Sequence, residues 1–552
     1  MAILLHCEKR VSRPVTLDAF LSRAETLAPP SLRVDDARPV MDHLKSLDSS
    51  EHAISGMVLP TLQPGEQYRF HFDMTRCIGC RCCEVACNEQ NGNSADVTWR
   101  RVGEIEGGSF PHVRRFHLSM ACNHCLEPAC LEGCPTSSYE KLDNGIVKHN
   151  ADTCIGCQYC TWNCPYGVPQ YNPERRIVTK CHMCVGRVGA GSLPACVEAC
   201  PVQAIQIEKV NVAEWRNAID AANAPGVPPA DLTLSTTRIT LPANLPEDFG
   251  TTTAQLLEPE PAHWSLVYFL TLSQASVGAA CAAFLTALAH ATTLSGWLSV
   301  VALAVGHAAL TGTLFHLGRP IHAFKALRGF RRSWLSREVV AFSAYAGLAI
   351  IPALNPQTEL LLGRSFVPPG LEQLGLWGAL LSGLAGVYTS VRIYRIPARP
   401  AWNSARTTWG FFSTSAVLGS SLALALSTLL AADAVISVIA AVVLAASLLV
   451  SAWLPWSLEA EHSSAEPGLR GASQLIRQHF ARRLRLRTAL AAGLALRCLA
   501  SALGITGPLT VQSALLVALL SLVVEATGRY LFFRCVVPRN MPQHFFAGKP
   551  VH

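Results

Sequence analysis

Charge is what this sequence has least of. Aspartate, glutamate, lysine and arginine make up 15% of its 552 residues, against 50% hydrophobic. That is too little charge for a wholly soluble protein of several domains. Mean hydropathy is +0.28, and the apolar residues concentrate after Trp264. A soluble first half is therefore joined to a membrane half. The net charge of +7 is no nucleic-acid signal, because the arginines cluster in short loops between apolar runs, where they set topology. No nucleotide- or flavin-binding pattern occurs, so neither ligand is expected. Met1–Leu5 is too short for a signal-peptide apolar region, and no twin-arginine pattern precedes it. No export signal of the chain's own is expected ahead of its cysteines.

Cysteine is plentiful and unevenly placed. Of 21 cysteines, sixteen fall in four groups of four. The first is Cys77, Cys80, Cys83 and Cys87. The second is Cys122, Cys125, Cys130 and Cys134. The third is Cys154, Cys157, Cys160 and Cys164, and the fourth is Cys181, Cys184, Cys196 and Cys200. Prolines follow Cys134, Cys164 and Cys200. Sixteen thiolates so spaced are a ligand set for four cubane [4Fe-4S] clusters. Three cysteines in a tight loop wrap three corners of one cubane. The fourth points away and in two-cluster ferredoxins ligates the other cluster, so the groups work in pairs. Structural zinc prefers two Cys-x2-Cys pairs separated by roughly 12–20 residues, and only the fourth group, taken alone, leans that way. Adjacent Cys82 and Cys83 and the repeated Cys-x2-Cys argue against a disulfide framework. Cys7, Cys82, Cys281, Cys498 and Cys535 carry no such pattern; Cys82 lies inside a cluster loop and can perturb its neighbour.

Along the chain, residues 1–66 form a mixed extension, and 67–210 form the cluster domain. Short strands are expected at Tyr68–Asp73, Trp99–Glu106, Phe116–Ala121, Gly145–His149, Glu174–Thr179 and Ala204–Val210. Residues 211–262, rich in Pro, Ala and Thr, read as an extended linker that wraps a surface. From 263 to 552 the chain is a membrane anchor. Runs long enough to cross roughly 30 Å of hydrocarbon occur near 264–288, 292–315, 338–356, 374–394, 408–430, 433–455, 488–505 and 508–531. The fold class is thus an α+β double ferredoxin-like iron–sulfur domain followed by an all-α eight-helix transmembrane bundle. Basic residues fill the loops after the second, fourth and sixth runs and the tail, whereas the alternate loops hold only Arg364 between them. The positive-inside rule then sets both termini and the iron–sulfur domain in the cytoplasm, with the bundle in the inner membrane.

The cluster region resembles the four-cluster iron–sulfur subunit of dimethyl sulfoxide reductase and related molybdoenzymes. The matching text includes Phe72-Asp73, Ala121-Cys122-Asn123-His124-Cys125, Cys154-Ile155-Gly156-Cys157-Gln158-Tyr159-Cys160, Cys164-Pro165-Tyr166-Gly167-Val168-Pro169-Gln170-Tyr171 and Thr179-Lys180-Cys181. The second half resembles the anchor subunit of the same enzymes through His263-Trp264-Ser265-Leu266, Phe315-His316-Leu317-Gly318-Arg319-Pro320 and Ser333-Trp334-Leu335-Ser336-Arg337-Glu338. Tyr394-Arg395-Ile396-Pro397 and Glu525-Ala526-Thr527-Gly528-Arg529-Tyr530 extend the match. The chain looks like a fusion of two subunits that are normally separate.

The resemblance implies a catalytic partner chain carrying molybdopterin, and a quinol or menaquinol site served by the membrane quinone pool. It implies that the first group pairs with the fourth and the second with the third. Cys77, Cys80 and Cys83 would then share a cluster with Cys200, and Cys181, Cys184 and Cys196 with Cys87. Cys122, Cys125 and Cys130 would go with Cys164, and Cys154, Cys157 and Cys160 with Cys134. Because Cys130 is a cysteine, four-iron clusters are expected throughout. The resemblance marks His316 and Glu338 as the quinol-site pair, and a histidine there can take a proton from a quinol hydroxyl. His307 is a further intramembrane candidate, and Arg497 is expected to pair structurally with Glu525. One rival reading runs the same electron path backward, as a quinone-reducing dehydrogenase of formate type. Another is a membrane redox sensor or zinc scaffold without a catalytic partner.

Overall fold

A computed structural model describes residues 58–539, apart from 95, 244, 246–249 and 252–256. The expected extension therefore lies outside the described residues up to position 57.

The first strand, β1 (Glu66–Asp73), pairs antiparallel with β8 (Ile205–Asn211) and parallel with β9 (Arg238–Thr240). Alternation does this: Phe70 and Phe72 point inward and oppose Ile207 and Ile205 across the ladder. A second sheet joins β2 (Arg101–Gly107) to β3 (Arg114–Met120) and to the two-residue β10 (Gly250–Thr251). Two hairpins complete the soluble part: β4 (Tyr139–Lys141) with β5 (Val147–His149), and β6 (Gln170–Asn172) with β7 (Ile177–Thr179). Between these strands run short helices: α1 (Cys82–Asn91), α2 (Ala129–Gly133), α3 (Tyr159–Asn163), α4 (Val185–Gly189) and α5 (Ala195–Glu198). Each carries cysteines or follows one directly.

Residues 211–262 hold more regular structure than an extended run. Helix α6 (Val212–Asn217) is capped by Asn211, whose side chain accepts from the Ala213 and Glu214 amides. Trp215 is buried and donates to the Ser235 carbonyl at 2.8 Å. With β9 and β10 in its two sheets, the segment is stitched onto the cysteine-bearing part. Its proline content hides this, because each element is shorter than a periodicity can reveal.

Long helices follow: α7 (Trp264–Leu288), α8 (Thr292–Thr313), α9 (Trp334–Leu348), α10 (Ile350–Leu362), α11 (Pro369–Tyr394), α12 (Ala405–Leu429), α13 (Ala434–Glu459), α14 (Pro467–Leu475), α15 (Ala481–Ala502) and α16 (Val511–Arg534). With α9 and α10 read as one span, seven stretches among the described residues are long and apolar enough to cross a membrane. The eighth run, 488–505, falls in α15. That helix begins earlier than its apolar run, and Arg482, Arg483, Arg485, Arg487 and Arg497 keep it below the apolarity of the others. Helix α7 is the hub, packing on α8, α11, α12 and α16. It meets α12 backbone to backbone: a Cβ on Gly278 would lie 2.0 Å from the Ser415 carbonyl oxygen, and one on Gly419 2.4 Å from Gly278. Outward faces carry Leu381, Val435, Leu515 and Leu519, all exposed, as suits lipid contact.

Candidate functional site

The four cysteine groups repeat one local geometry. The residue before each second cysteine has positive φ: Gly79, His124, Gly156 and Met183. That turn aims an amide back at the first sulfur. His124 N, Gly156 N and Met183 N each lie 3.4 Å from Cys122, Cys154 and Cys181 Sγ, and the Gly79 amide serves Cys77. The last cysteine of a group receives a later amide: Ser138 N on Cys134 Sγ at 3.3 Å and Ala204 N on Cys200 Sγ at 3.2 Å. Amides bonded to sulfur favour the thiolate.

The thiols then crowd one another across groups. Burial, then Cys200 and Cys80, push the Cys77 thiol up. Burial, then Cys181, Cys196 and Cys184, push up Cys87. Burial, then Cys164, Cys122 and Cys125, do so for Cys130, and these four line one cavity. Burial, then Cys157, Cys134 and Cys154, do so for Cys160. Cys83 touches Ser119 Oγ at 3.4 Å and lies near Cys196. The sets also adjoin in series: Cys196 neighbours Cys83 and Cys87, Cys181 neighbours Cys122, and Tyr139 lies between Cys130 and Cys160.

Such thiols ionise together only against a multivalent cation. Two buried cations fit an anionic metal–thiolate group as well. Arg100 is 2% exposed, faces Cys196, Cys83, Cys181 and Cys87, and leaves Nε and Nη2 without a hydrogen-bond partner. Lys180, also 2% exposed, sets Nζ 3.5 Å from Cys122 Sγ. Burial alone would lower its pKa, but Cys122, Cys130 and Cys181 more than offset that and raise it. Among the described residues no three His, Cys, Asp or Glu side chains converge as they would on a single metal ion.

The set Cys134, Cys154, Cys157 and Cys160 lies against the bundle. The segment between α8 and α9 grips its backbone carbonyls through amides and side chains. Arg319 N donates to Ile155 O at 3.0 Å, Gly329 N to Pro135 O at 2.7 Å, and Ser333 Oγ to Gly133 O at 2.7 Å. Lys325 Nζ reaches Asp152 O at 3.0 Å. Glycines permit the approach, since a Cβ on Gly318 would stand 2.3 Å from the Arg176 carbonyl oxygen.

Here lie both predicted membrane-edge residues. His316 faces the Cys157 backbone and Ser265, whose Oγ is 3.4 Å from its Nδ1. Glu338 is buried in α9, accepts a hydrogen bond from Ser390 Oγ, and has Tyr159 and Tyr394 beside it. Among the described residues no hydrogen bond joins His316 to Glu338. Beside His316 stands a residue that spacing could not mark. Trp162, on α3 within the third group, contacts His316, His263, Tyr394, Trp402 and Phe533 at 5.2–6.5 Å between ring centroids. Burial first, then the His316 and Arg399 charges, lower His263 to about 4. Its neutral ring is thus available as a proton acceptor above that pH. A tryptophan between two ligand cysteines was the available signal.

His307 is exposed and bonds its own helix, with Nδ1 2.9 Å from Leu303 O. Arg497 does not pair with Glu525. It donates to Thr506 Oγ1 at 2.6 Å, and Arg487 takes Glu525 at 3.5 Å. The early start of α15 shifts the depths, bringing Arg487 level with Glu525 and leaving Arg497 near the far end.

Loops of this kind hold iron–sulfur clusters, and helices of this length fix them to a membrane; the class is that of membrane-anchored electron-transfer subunits of oxidoreductases. The family described as DMSO reductase anchor subunit (DmsC) matches residues 260–534, and a 4Fe-4S dicluster domain matches residues 113–210. The probable anaerobic dimethyl sulfoxide reductase chain YnfG of Escherichia coli K12 is 39% identical over 202 residues, 35% of this chain and 98% of that one. The protein belongs to the dimethyl sulfoxide reductase family and unites in one polypeptide the iron–sulfur subunit and the membrane anchor. A chain of the anaerobic dimethyl sulfoxide reductase of Haemophilus influenzae is 38% identical over 177 residues, 30% of this chain and 86% of that one. A formate dehydrogenase iron–sulfur subunit of the same organism is 37% identical over 171 residues, 26% of this chain and 54% of that one.

Proposed function

We propose that the chain oxidises membrane quinol and passes the electrons through four [4Fe-4S] clusters to a molybdopterin-bearing catalytic subunit. The fourfold repeat of the cysteine loop, with its crowded thiols, is the observation that carries this reading. Cys77, Cys80, Cys83 and Cys200 hold one cluster, and Cys181, Cys184, Cys196 and Cys87 the next. Cys122, Cys125, Cys130 and Cys164 hold the third, and Cys154, Cys157, Cys160 and Cys134 the one nearest the membrane. When bound, the clusters supply one-electron chemistry. Arg100 and Lys180 stabilise the added negative charge, and the amides on sulfur do the same. At the membrane edge His316 and Glu338 accept the two protons a quinol releases as it gives up two electrons. Trp162 bridges the space from there to the third group. Cys80 and Cys82 are exposed beside Ile78 and Val85, also exposed, and this face suits the catalytic subunit. The reading extends to eight spans, α15 included, with the iron–sulfur domain and both termini on the cytoplasmic side of the inner membrane.

The test is quinol-driven cluster reduction, followed by electron paramagnetic resonance in membranes. His316→Ala and Glu338→Gln should each slow it strongly with iron content unchanged. Unchanged reduction in both would sink the site. A second reading, quinone reduction by a dehydrogenase, is favoured by the formate dehydrogenase relative. Assays of the complex with formate and with dimethyl sulfoxide separate the two.

A further inference from the structure

A cavity of about 110 Å³ lies among α12, α13, α15 and α16, and neither His316 nor Glu338 lines it. Along α16 its lining runs from Glu525, deepest, through Arg529 to Cys535 at the end nearer the cysteine domain. Apolar walls from Leu458 and Leu484 flank the charged interior. Arg487 and Glu525 neutralise each other at 3.5 Å, and Thr414 and Ser451 each donate to Glu525 at 2.6 Å. Arg529 is 5% exposed and has no carboxylate at ion-pair distance among the described residues. Its Nη2 donates to Gln274 Oε1 at 2.6 Å, Thr414 Oγ1 at 3.0 Å and Gly410 O at 3.2 Å, and its Nε is buried without a partner. Arg406 meets Glu461 at 3.0 Å and also keeps an unpartnered, buried Nε. Arg406, Arg487 and Arg529 against Glu461 and Glu525 leave one positive charge in surplus.

The Gly410 carbonyl and the Phe411 ring, 4.1 Å from the Arg529 guanidinium carbon, solvate that charge without neutralising it, and an anion in the cavity would balance it. The planar guanidinium fork suits a phosphate. Apolar walls beside the charge suit an anion that carries acyl chains, and the basic segment with Arg482 and Arg483 draws anionic lipid to this side. We propose that the cavity takes the phosphate of an anionic glycerophospholipid, with Arg529 as its principal ligand and the acyl chains running out past Leu458. This stands apart from the quinol reading, since it involves none of the same residues.

The experiment is native mass spectrometry of the full chain in detergent, titrated with phosphatidylglycerol, phosphatidylcholine or inorganic phosphate. One phosphatidylglycerol should bind per chain, and Arg529→Gln should weaken that by about tenfold while Arg529→Lys restores part of it. Leu458→Trp, which narrows the cavity and leaves the charges alone, should weaken it too and serves if Arg529→Gln does not fold. Equal retention of phosphatidylglycerol by these variants would overturn the proposal. So would equal binding of phosphatidylcholine, or displacement of the lipid by inorganic phosphate, which would mark an ordinary anion site.

Discussion

Lys180 is the residue whose charge is most exposed to test. Its ammonium lies 3.5 Å from Cys122 Sγ, so it favours the more negative, reduced state of any cluster there. Lys180→Met should lower that cluster's potential by on the order of tens of millivolts, read by redox titration. Glu208 gives a pH handle on the same domain. Burial would raise its pKa, but His71 and Arg69 overcome that and bring it down to about 2. Arg69 Nη2 is 2.8 Å away and His71 Nδ1 2.7 Å. A depressed carboxylate stabilises above its unfolded pKa, about 4.3, and loses that contribution as pH falls toward 2. Glu208→Gln should therefore cost about 2 kcal/mol at neutral pH and flatten the acid limb of a stability–pH curve between those values. Neither role was legible in sequence. Lys180 shows only as the neighbour of Cys181, and the Glu208 contacts depend on the register of β1 on β8.

At the scale of elements, two backbone contacts matter most. Helices α7 and α12 cross at Gly278 and Gly419 with no room for a side chain. Gly278→Leu should lower the thermal midpoint in detergent, with a penalty of about 1–3 kcal/mol or more. The second contact is the grip of the α8–α9 segment on the third cysteine group. Gly318→Val should leave iron content intact, yet slow quinol-driven reduction on the order of tenfold to a hundredfold, because it displaces His316 from Cys157. The strands were readable from alternation, and β1, β2, β3, β5, β7 and β8 all fall within or beside their expected ranges. The grip was not readable, because bonds to the carbonyls of distant loops leave no periodic trace.

For the whole molecule, metal analysis of protein purified without oxygen should give about sixteen irons per chain, four to a cubane. Zinc in their place would remove the electron-transfer reading altogether. The division into a cysteine-rich part and an apolar part was plain from composition, as was the cysteine spacing. The seam between them was not: Trp162 belongs by sequence to the third group and by contact to the bundle, where Tyr394, Trp402 and Phe533 surround it.

On the cysteine side, that seam is met by main-chain carbonyls, those of Gly133, Pro135, Asp152 and Ile155 among them, and every residue has one. Side chains on those accepting residues can therefore drift without loosening it, provided Arg319, Lys325 and Ser333 keep their donors and Gly318 and Gly329 their small footprint. Joining the two halves in one polypeptide fixes their numbers at one to one, so the joint never competes with other copies for its mate. Selection at such a seam falls on two glycines, three donor side chains and a length of tether.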